Sequence, residues 1–275
     1  MKLLVLGGAG MAGHVMYHYF KQKKQYKVFS TTRRGTDDSL FFDAKNESQL
    51  EQILFSIKPD IVINCIGILN DQAAKHPLEA IQVNSLLPHK IVSILEKTGG
   101  KLIHISTDCV FSGEKGDYSE KDIPDGTSIY ARTKILGEIN SPNHLTIRTS
   151  IIGPELKEGI GLFQWFMAQK GKVNGYKKVY WNGVTTLELA KAVETAIEQK
   201  ISGLYHLTAP SKISKYELLH HFQNVFSKYD TEILPCDEFE IDRTLKCTRK
   251  DFTYNVPSYI EMLEELKGWI SYRAN

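Results

Sequence analysis

No C-x-x-C pair occurs among the four cysteines of this 275-residue chain, Cys65, Cys109, Cys236 and Cys247. Thiols scattered in this way suggest neither a zinc site nor a disulfide framework, and they fit a reducing, cytoplasmic setting. Charge of one sign is also missing: 34 Lys and Arg face 32 Asp and Glu, a net charge of +2, with no blocks of either sign. That balance leaves no nucleic-acid footprint. Carboxylates and histidines lack ligand spacing, so no metal is expected. No apolar run approaches the roughly 18 residues of a membrane-spanning helix, which predicts a soluble protein without membrane insertion. The opening Met1-Lys2-Leu3-Leu4-Val5-Leu6 is too short an apolar run for a secretory leader. It passes straight into a glycine loop and reads as a buried strand.

What is present is a large apolar fraction, 42%, arranged in a repeating order. Short apolar runs at Leu3–Leu6, Tyr26–Thr31, Ile61–Ile63, Leu102–Ile105 and Leu145–Ile147 alternate with amphipathic stretches starting near Met11, Glu47 and Pro77. Strands that are apolar throughout and separated by helices predict an α/β fold, a Rossmann-like doubly wound parallel sheet covered on both faces. Ligands are then expected at the carboxyl ends of the strands. The order changes after about Ser150. A nucleotide-binding domain over 1–150, rejoined by about 173–207, and a smaller, partly discontinuous substrate-binding lobe over 151–172 and 208–275 are expected.

Gly7, Gly10 and Gly13 form G-x-x-G-x-x-G between the first strand and the first helix. Without side chains there, a pyrophosphate can approach the backbone at the helix N-terminus, and Met11 opens that helix. A tight turn without a ligand is the competing reading. After the second strand, where an acid would accept the ribose hydroxyls of NAD, stand Arg33 and Arg34. Guanidinium groups at that point favour the 2′-phosphate of NADP(H), with NAD(H) still allowed, and a solvated basic loop is the alternative. Asp43 is placed to contact an adenine or to cap the next helix. Asn64 and Gly67 end the third long strand beside the expected cofactor site. Asn84 is expected to support that neighbourhood by hydrogen bonding.

Tyr130-Ala131-Arg132-Thr133-Lys134 is Y-x-x-x-K, which on a helix puts phenol and ammonium on one face. A phenol with a pKa near ~10 needs a neighbouring cation to serve as an acid–base group at neutral pH. The pattern alone is weak, because Tyr17 to Lys21 matches it within the first helix. Context favours Tyr130, since a buried strand ending in Ser106-Thr107-Asp108 precedes it and can bring a hydroxyl to the same pocket. Thr107 is the candidate partner of a substrate carbonyl, and strand alternation turns Ser106 away. Asp108 is placed to orient substrate or to cap the following turn.

Taken together, the glycine loop, Ser106-Thr107-Asp108-Cys109-Val110-Phe111-Ser112-Gly113, Tyr118-x-Glu120-x-Asp122-x-Pro124 and Tyr130-x-x-x-Lys134 with Gly137-Glu138 resemble the dTDP-4-dehydrorhamnose reductase family of extended short-chain dehydrogenases. Arg148-Thr149-Ser150, Trp181-Asn182-Gly183-Val184-Thr185-Thr186 and Gly203-Leu204-Tyr205-His206-Leu207 extend the likeness over most of the chain. The resemblance implies reduction of the 4-keto group of a nucleotide-linked 4-keto-6-deoxy sugar for cell-surface polysaccharide synthesis. It also implies that Tyr130 protonates the oxygen, Lys134 lowers its pKa and holds the ribose, and Thr107 polarises the carbonyl. Cys109 departs from the aromatic residue usual after Thr-Asp, which opens the choice to a UDP-linked 2-acetamido-4-keto sugar. A glutamate at that position marks the related dehydratases, so dehydration is disfavoured.

Epimerases share the tyrosine and lysine, and some relatives serve as non-catalytic regulatory subunits, so both remain alternatives. Arg243 and Arg249 are candidates to grip the phosphates, with surface salt bridging as the other reading. Trp165 and Trp181 are candidate walls for a base or sugar, or ordinary core. Extended members often pair as homodimers through helices of the nucleotide domain.

Overall fold

The computed structural model describes residues 1–274 apart from 37, 157, 158 and 160. In chain order the elements are β1 (Lys2–Leu6), α1 (Met11–Lys21), β2 (Lys27–Thr32), β3 (Leu40–Phe41), α2 (Glu47–Ile57), β4 (Ile61–Asn64), α3 (Asn70–Lys75), α4 (Pro77–Ala80), a π-helical turn (Ile81–Leu86), α5 (Leu87–Thr98) and β5 (Lys101–Thr107). There follow a 3₁₀ turn (Asp108–Val110), α6 (Ile129–Leu136), β6 (Leu145–Thr149), β7 (Ile151–Ile152), α7 (Leu162–Ala168), β8 (Gly171–Trp181) and β9 (Val184–Thr185). The chain continues through α8 (Thr186–Glu198), β10 (Gly203–His206), β11 (Ile213–Ser214), α9 (Lys215–Phe226), β12 (Thr231–Asp242) and α10 (Tyr259–Ala274).

Seven parallel strands form the main sheet in the order β10-β6-β5-β4-β1-β2-β3. Pairing grows outward from β1 in both directions, so the topological switch point lies between β1 and β4. Alternation within β1 shows why the strands carry no polar face. Leu3 and Val5 pack with Met16, Phe20, Leu189 and Val193 from α1 and α8, whereas Leu4 and Leu6 pack with Leu50, Leu54, Ile91 and Leu95 from α2 and α5. Both faces are therefore dry, as the apolar runs require.

A second sheet of three strands, β11-β8-β12, belongs to the C-terminal part of the chain. Strand β8 pairs there in parallel with β12, from Gly171↔Thr231 to Tyr180↔Asp242. Within 173–207, β8 thus lies in the second sheet, while α8 packs on α1 and β10 adds to β6. The alternating polar and apolar residues of β8 suit a sheet with one wet face, which the seven-stranded sheet does not offer. Among the described residues, no helix is long and apolar enough to cross a membrane.

The C-terminal end of α6 is anchored by a buried ion pair. Glu138 accepts from Arg148 Nε at 2.8 Å and from Nη2 at 2.7 Å, and also from Ser106 Oγ at 2.7 Å. The Arg148 side chain is only 4% exposed and lies over the Phe111 ring at 5.1 Å. Removing one member of such a pair strands the other charge in a poorly solvated place. Glu138→Ala is expected to cost about 3–5 kcal/mol of unfolding free energy. Urea denaturation followed by circular dichroism checks this, and a loss below about 1 kcal/mol would contradict the anchoring role.

Candidate active site

The glycine loop crosses itself so tightly that side chains are excluded. A Cβ on Gly13 would lie 2.1 Å from the Gly7 carbonyl oxygen, and Gly7 itself has a φ of +85°. Gly10 is the N-cap of α1 and supplies no side-chain cap, and the first turn carries no acidic residue. The free N–H groups of that turn therefore face outward with the positive end of the helix dipole, which fits a phosphate-bearing cofactor. Met11 starts this turn and approaches Gly161 at the entrance to α7. Arg33 and Arg34 follow β2, are exposed, and make no ion pair among the described residues.

Asp43 is not the cap of the helix that follows it. Its Oδ1 accepts from the Lys45 N–H at 3.0 Å, while the N-cap of α2 is Asn46, whose side chain accepts from the Gln49 N–H. Its carboxylate therefore closes a local turn just ahead of the helix. Asn64 is wholly buried, with its amide divided between the Ile66 N–H at 3.1 Å and His104 Nδ1 at 3.2 Å. These bonds tie the loop after β4 to β5. Gly67 sits exposed on that loop.

Asn84, fully buried in the π-helical turn, holds the same loop in place. Its Oδ1 accepts from the Ile68 N–H at 2.8 Å, and its Nδ2 donates to the Ile68 carbonyl at 2.9 Å and to Thr133 Oγ1 at 3.1 Å. The wider π-turn presents this residue where a regular helix would rotate it away.

Tyr130 and Thr107 come together as expected. The Thr107 hydroxyl neighbours the Tyr130 phenol and acts to lower it, against burial; it accepts from the Cys109 N–H at 3.1 Å and donates to Asp108 Oδ1 at 3.1 Å. Burial pushes the phenol well above its ordinary range, and the neighbouring Cys109 and Asp108 add to the rise. Ser106 points elsewhere, to Glu138. Lys134, one turn along α6, is buried; its Nζ donates to the Ile105 carbonyl at 2.8 Å, and burial lowers it to about 8. The groups acting on the phenol do not include this ammonium. The depression of the Tyr130 pKa that the Y-x-x-x-K pattern suggested is therefore absent from this arrangement.

The four phosphate and wall candidates divide. Arg243 reaches the Thr107–Gly113 segment: its Nε donates to the Phe111 carbonyl at 3.1 Å and the Ser112 carbonyl at 3.3 Å, and its charge acts on Asp108 and Cys109. Arg249 does not come near. It pairs with Asp251 and donates to the carbonyls of Ser202 and Leu204, at the amino end of β10 and so at the opposite edge of the sheet from the glycine loop. Trp181 is core, 3% exposed, with its ring tilted by 35° against that of Tyr259, and Trp165 is partly exposed on α7. Cys109 is partly buried beside Tyr130, and burial pushes its thiol up to about 12.

Lys215 is a residue that the sequence reading missed. From the first turn of α9 its Nζ lies over the Trp181 ring at 5.3 Å and acts on Asp108 and Cys109, with burial lowering it to about 8. Asp108 in turn is raised by burial, against the pull of Lys215 and Arg243. Two cations from the C-terminal part of the chain thus face the carboxylate next to Thr107. No local pattern marks Lys215, which follows Ser214 as an ordinary capping-box helix start.

The arrangement offers a glycine-lined anion site and, two strands away, a buried phenol–hydroxyl pair. A family model described as the RmlD substrate binding domain matches residues 1–250. The beta subunit of methionine adenosyltransferase 2 from Danio rerio is 23% identical over 253 residues, covering 86% of this chain and 77% of its own length. A dTDP-4-dehydrorhamnose reductase from Salmonella typhimurium is 27% identical over 180 residues, 61% of this chain and 60% of that one. The crystal structure of dTDP-4-dehydrorhamnose reductase from Bacillus anthracis in complex with NADP superposes with a TM-score of 0.83 at 20% identity, covering 98% of this chain and 99% of that one.

Asn84→Ala leaves the Ile68 N–H and carbonyl without their partner, an expected loss of about 1–3 kcal/mol. Because the loop it holds runs beside Gly7, affinity for NADPH should fall about 5- to 100-fold in a fluorescence titration. Unchanged affinity would separate the clamp from cofactor binding.

Proposed function

Because the chain belongs to the RmlD substrate binding domain family, we propose that it is a nicotinamide-dependent reductase of the 4-keto group of a nucleotide-linked 4-keto-6-deoxy sugar. The observation that carries this reading is the placement of the buried Tyr130 phenol beside Thr107 at the carboxyl end of β5, on the edge of the sheet where the glycine loop lies. NADP(H), held by Gly7, Gly10, Met11 and Gly13 with Arg33 and Arg34 toward a 2′-phosphate, would supply the hydride when bound. NAD(H) remains compatible with the same loop.

Thr107 would donate to the substrate carbonyl, which polarises it, and Tyr130 would pass its proton to the oxygen as negative charge develops there. A phenol raised by burial stays protonated across the neutral range, which suits a proton donor in the reductive direction. Lys134 lies one turn away for a ribose hydroxyl. Lys215 and Arg243 would receive the sugar nucleotide on the side of Asp108. Either a dTDP or a UDP carrier fits this chemistry, since Cys109 leaves more room than an aromatic residue. Four free thiols agree with work in the cytoplasm.

A second reading is favoured by one observation: the Danio rerio relative is, by name, a subunit of a different enzyme. In that case the nucleotide fold would serve binding alone. Tyr130→Phe separates the two, because it removes one hydroxyl and leaves the cofactor loop intact. With NADPH and NADH offered against dTDP- and UDP-linked 4-keto-6-deoxy sugars, turnover should fall at least about 100-fold while cofactor affinity holds. Equal turnover in the variant would overturn the role of the phenol, and no oxidation of either cofactor by the native chain, despite binding, would favour the subunit reading.

A further inference from the structure

Asn64 and His104 sit side by side on adjacent parallel strands, paired in register, and neither side chain is exposed. The Ile66 N–H can only donate, and it points at Asn64 Oδ1 at 3.1 Å. That contact fixes which way the amide faces, so its Nδ2 is turned to His104 Nδ1 at 3.2 Å. An amide NH₂ also only donates, which makes Nδ1 the acceptor nitrogen of the ring. Burial holds His104 well below its ordinary range, so the ring is neutral and carries its single proton on Nε2.

His104 Nε2 lies 3.4 Å from Lys134 Nζ. If Lys134 were an ammonium, two donors would meet and neither would have a lone pair for the other. An amine accepts from Nε2–H and still donates to the Ile105 carbonyl at 2.8 Å. The other groups facing Lys134 do not reverse this preference. Glu138, just past the end of α6, favours the ammonium but is bonded to Arg148 and Ser106, and Cys65 at the end of β4 is a thiol pushed up to about 12 by burial. Across the ring, His89 on α5 is engaged with the Leu136 carbonyl at 2.8 Å.

We propose that His104 is a positioning residue which, oriented by Asn64, presents Nε2–H to Lys134 and shifts that lysine toward its amine form before ligands bind. The arrangement deepens the reading of α6 as the reactive helix and rests on it. In its amine form Lys134 offers no cation to favour phenolate, so Tyr130 keeps the proton it must deliver. Lys134 then gains charge when a ligand draws Nζ away from the ring.

The full chain labelled with ¹⁵N-histidine, free of cofactor at about pH 7.5, reports the tautomer directly through long-range ¹H–¹⁵N correlations, with His104→Gln identifying the signal. A protonated Nε2 and an unprotonated Nδ1 are expected. A proton on Nδ1, or an imidazolium, would overturn the proposal. Asn64→Asp replaces the donor by an acceptor and should move the proton to Nδ1, freeing Nε2 to accept from an ammonium. The midpoint of the pH profile of kcat/KM assigned to Lys134 should then rise by about one unit, a tenfold change in proton affinity. A profile that keeps its midpoint while only its height changes would contradict the role. The tautomer is read without substrate, so its outcome is independent of whether any sugar is reduced.

Discussion

Asn84 ties three parts of the backbone that the rest of the site depends on. Its amide bonds the loop after β4 on one side and Thr133 of α6 on the other, and Ser85 Oγ adds a bond to the Thr133 carbonyl at 2.8 Å. The approach is close enough to dictate sequence elsewhere. A Cβ on Gly137 would lie 1.8 Å from the Asn84 carbonyl oxygen, so the end of α6 can press on the π-turn only with glycine there. Once α6 is fixed against the π-turn, and Glu138 against Arg148, the positions of Tyr130 and Lys134 over β5 follow. The loop that passes Gly7 is set by the same amide, so cofactor side and reactive side share one support.

Electrostatics around this support work by burial more than by pairing. Tyr130 is raised, His104 is lowered, and Lys134 and Lys215 are each brought down to about 8, in every case chiefly because the charged form loses water. A site of this kind favours neutral groups at rest and gives large energetic weight to any charge that a reaction develops. The dry neighbourhood also explains why Cys65 and Cys109, both raised to about 12, behave as small apolar residues rather than nucleophiles.

Much of the nucleotide fold was legible because its signals are local. Glycines at 7, 10 and 13 report a crossing that only they permit, and apolar runs without polar alternation report a sheet covered on both sides. Thr107 and Tyr130 could be paired because strand end and helix lie close in sequence. Long-range placement was less accessible. Strand β12 hides among acidic residues, Asp237 to Asp242, so its pairing with β8 has no local signal. The same gap concealed Lys215, which reaches Asp108 only through the tertiary packing of α9. Arg243 and Arg249 share one segment and looked alike, yet a turn of chain sends them to opposite edges of the sheet. The π-turn, too, gives no sequence signal beyond its asparagine.

In the proposed reaction a hydride passes from the nicotinamide to the sugar while Tyr130 supplies the proton. Incubation with NADPH deuterated at the transferable position of C4, together with a dTDP-linked 4-keto-6-deoxy sugar, tests it most directly. The account predicts one deuterium on C4 of the product by mass spectrometry, with matching loss of cofactor absorbance. Recovery of unlabelled or unreduced sugar from a chain shown to bind the cofactor would contradict it.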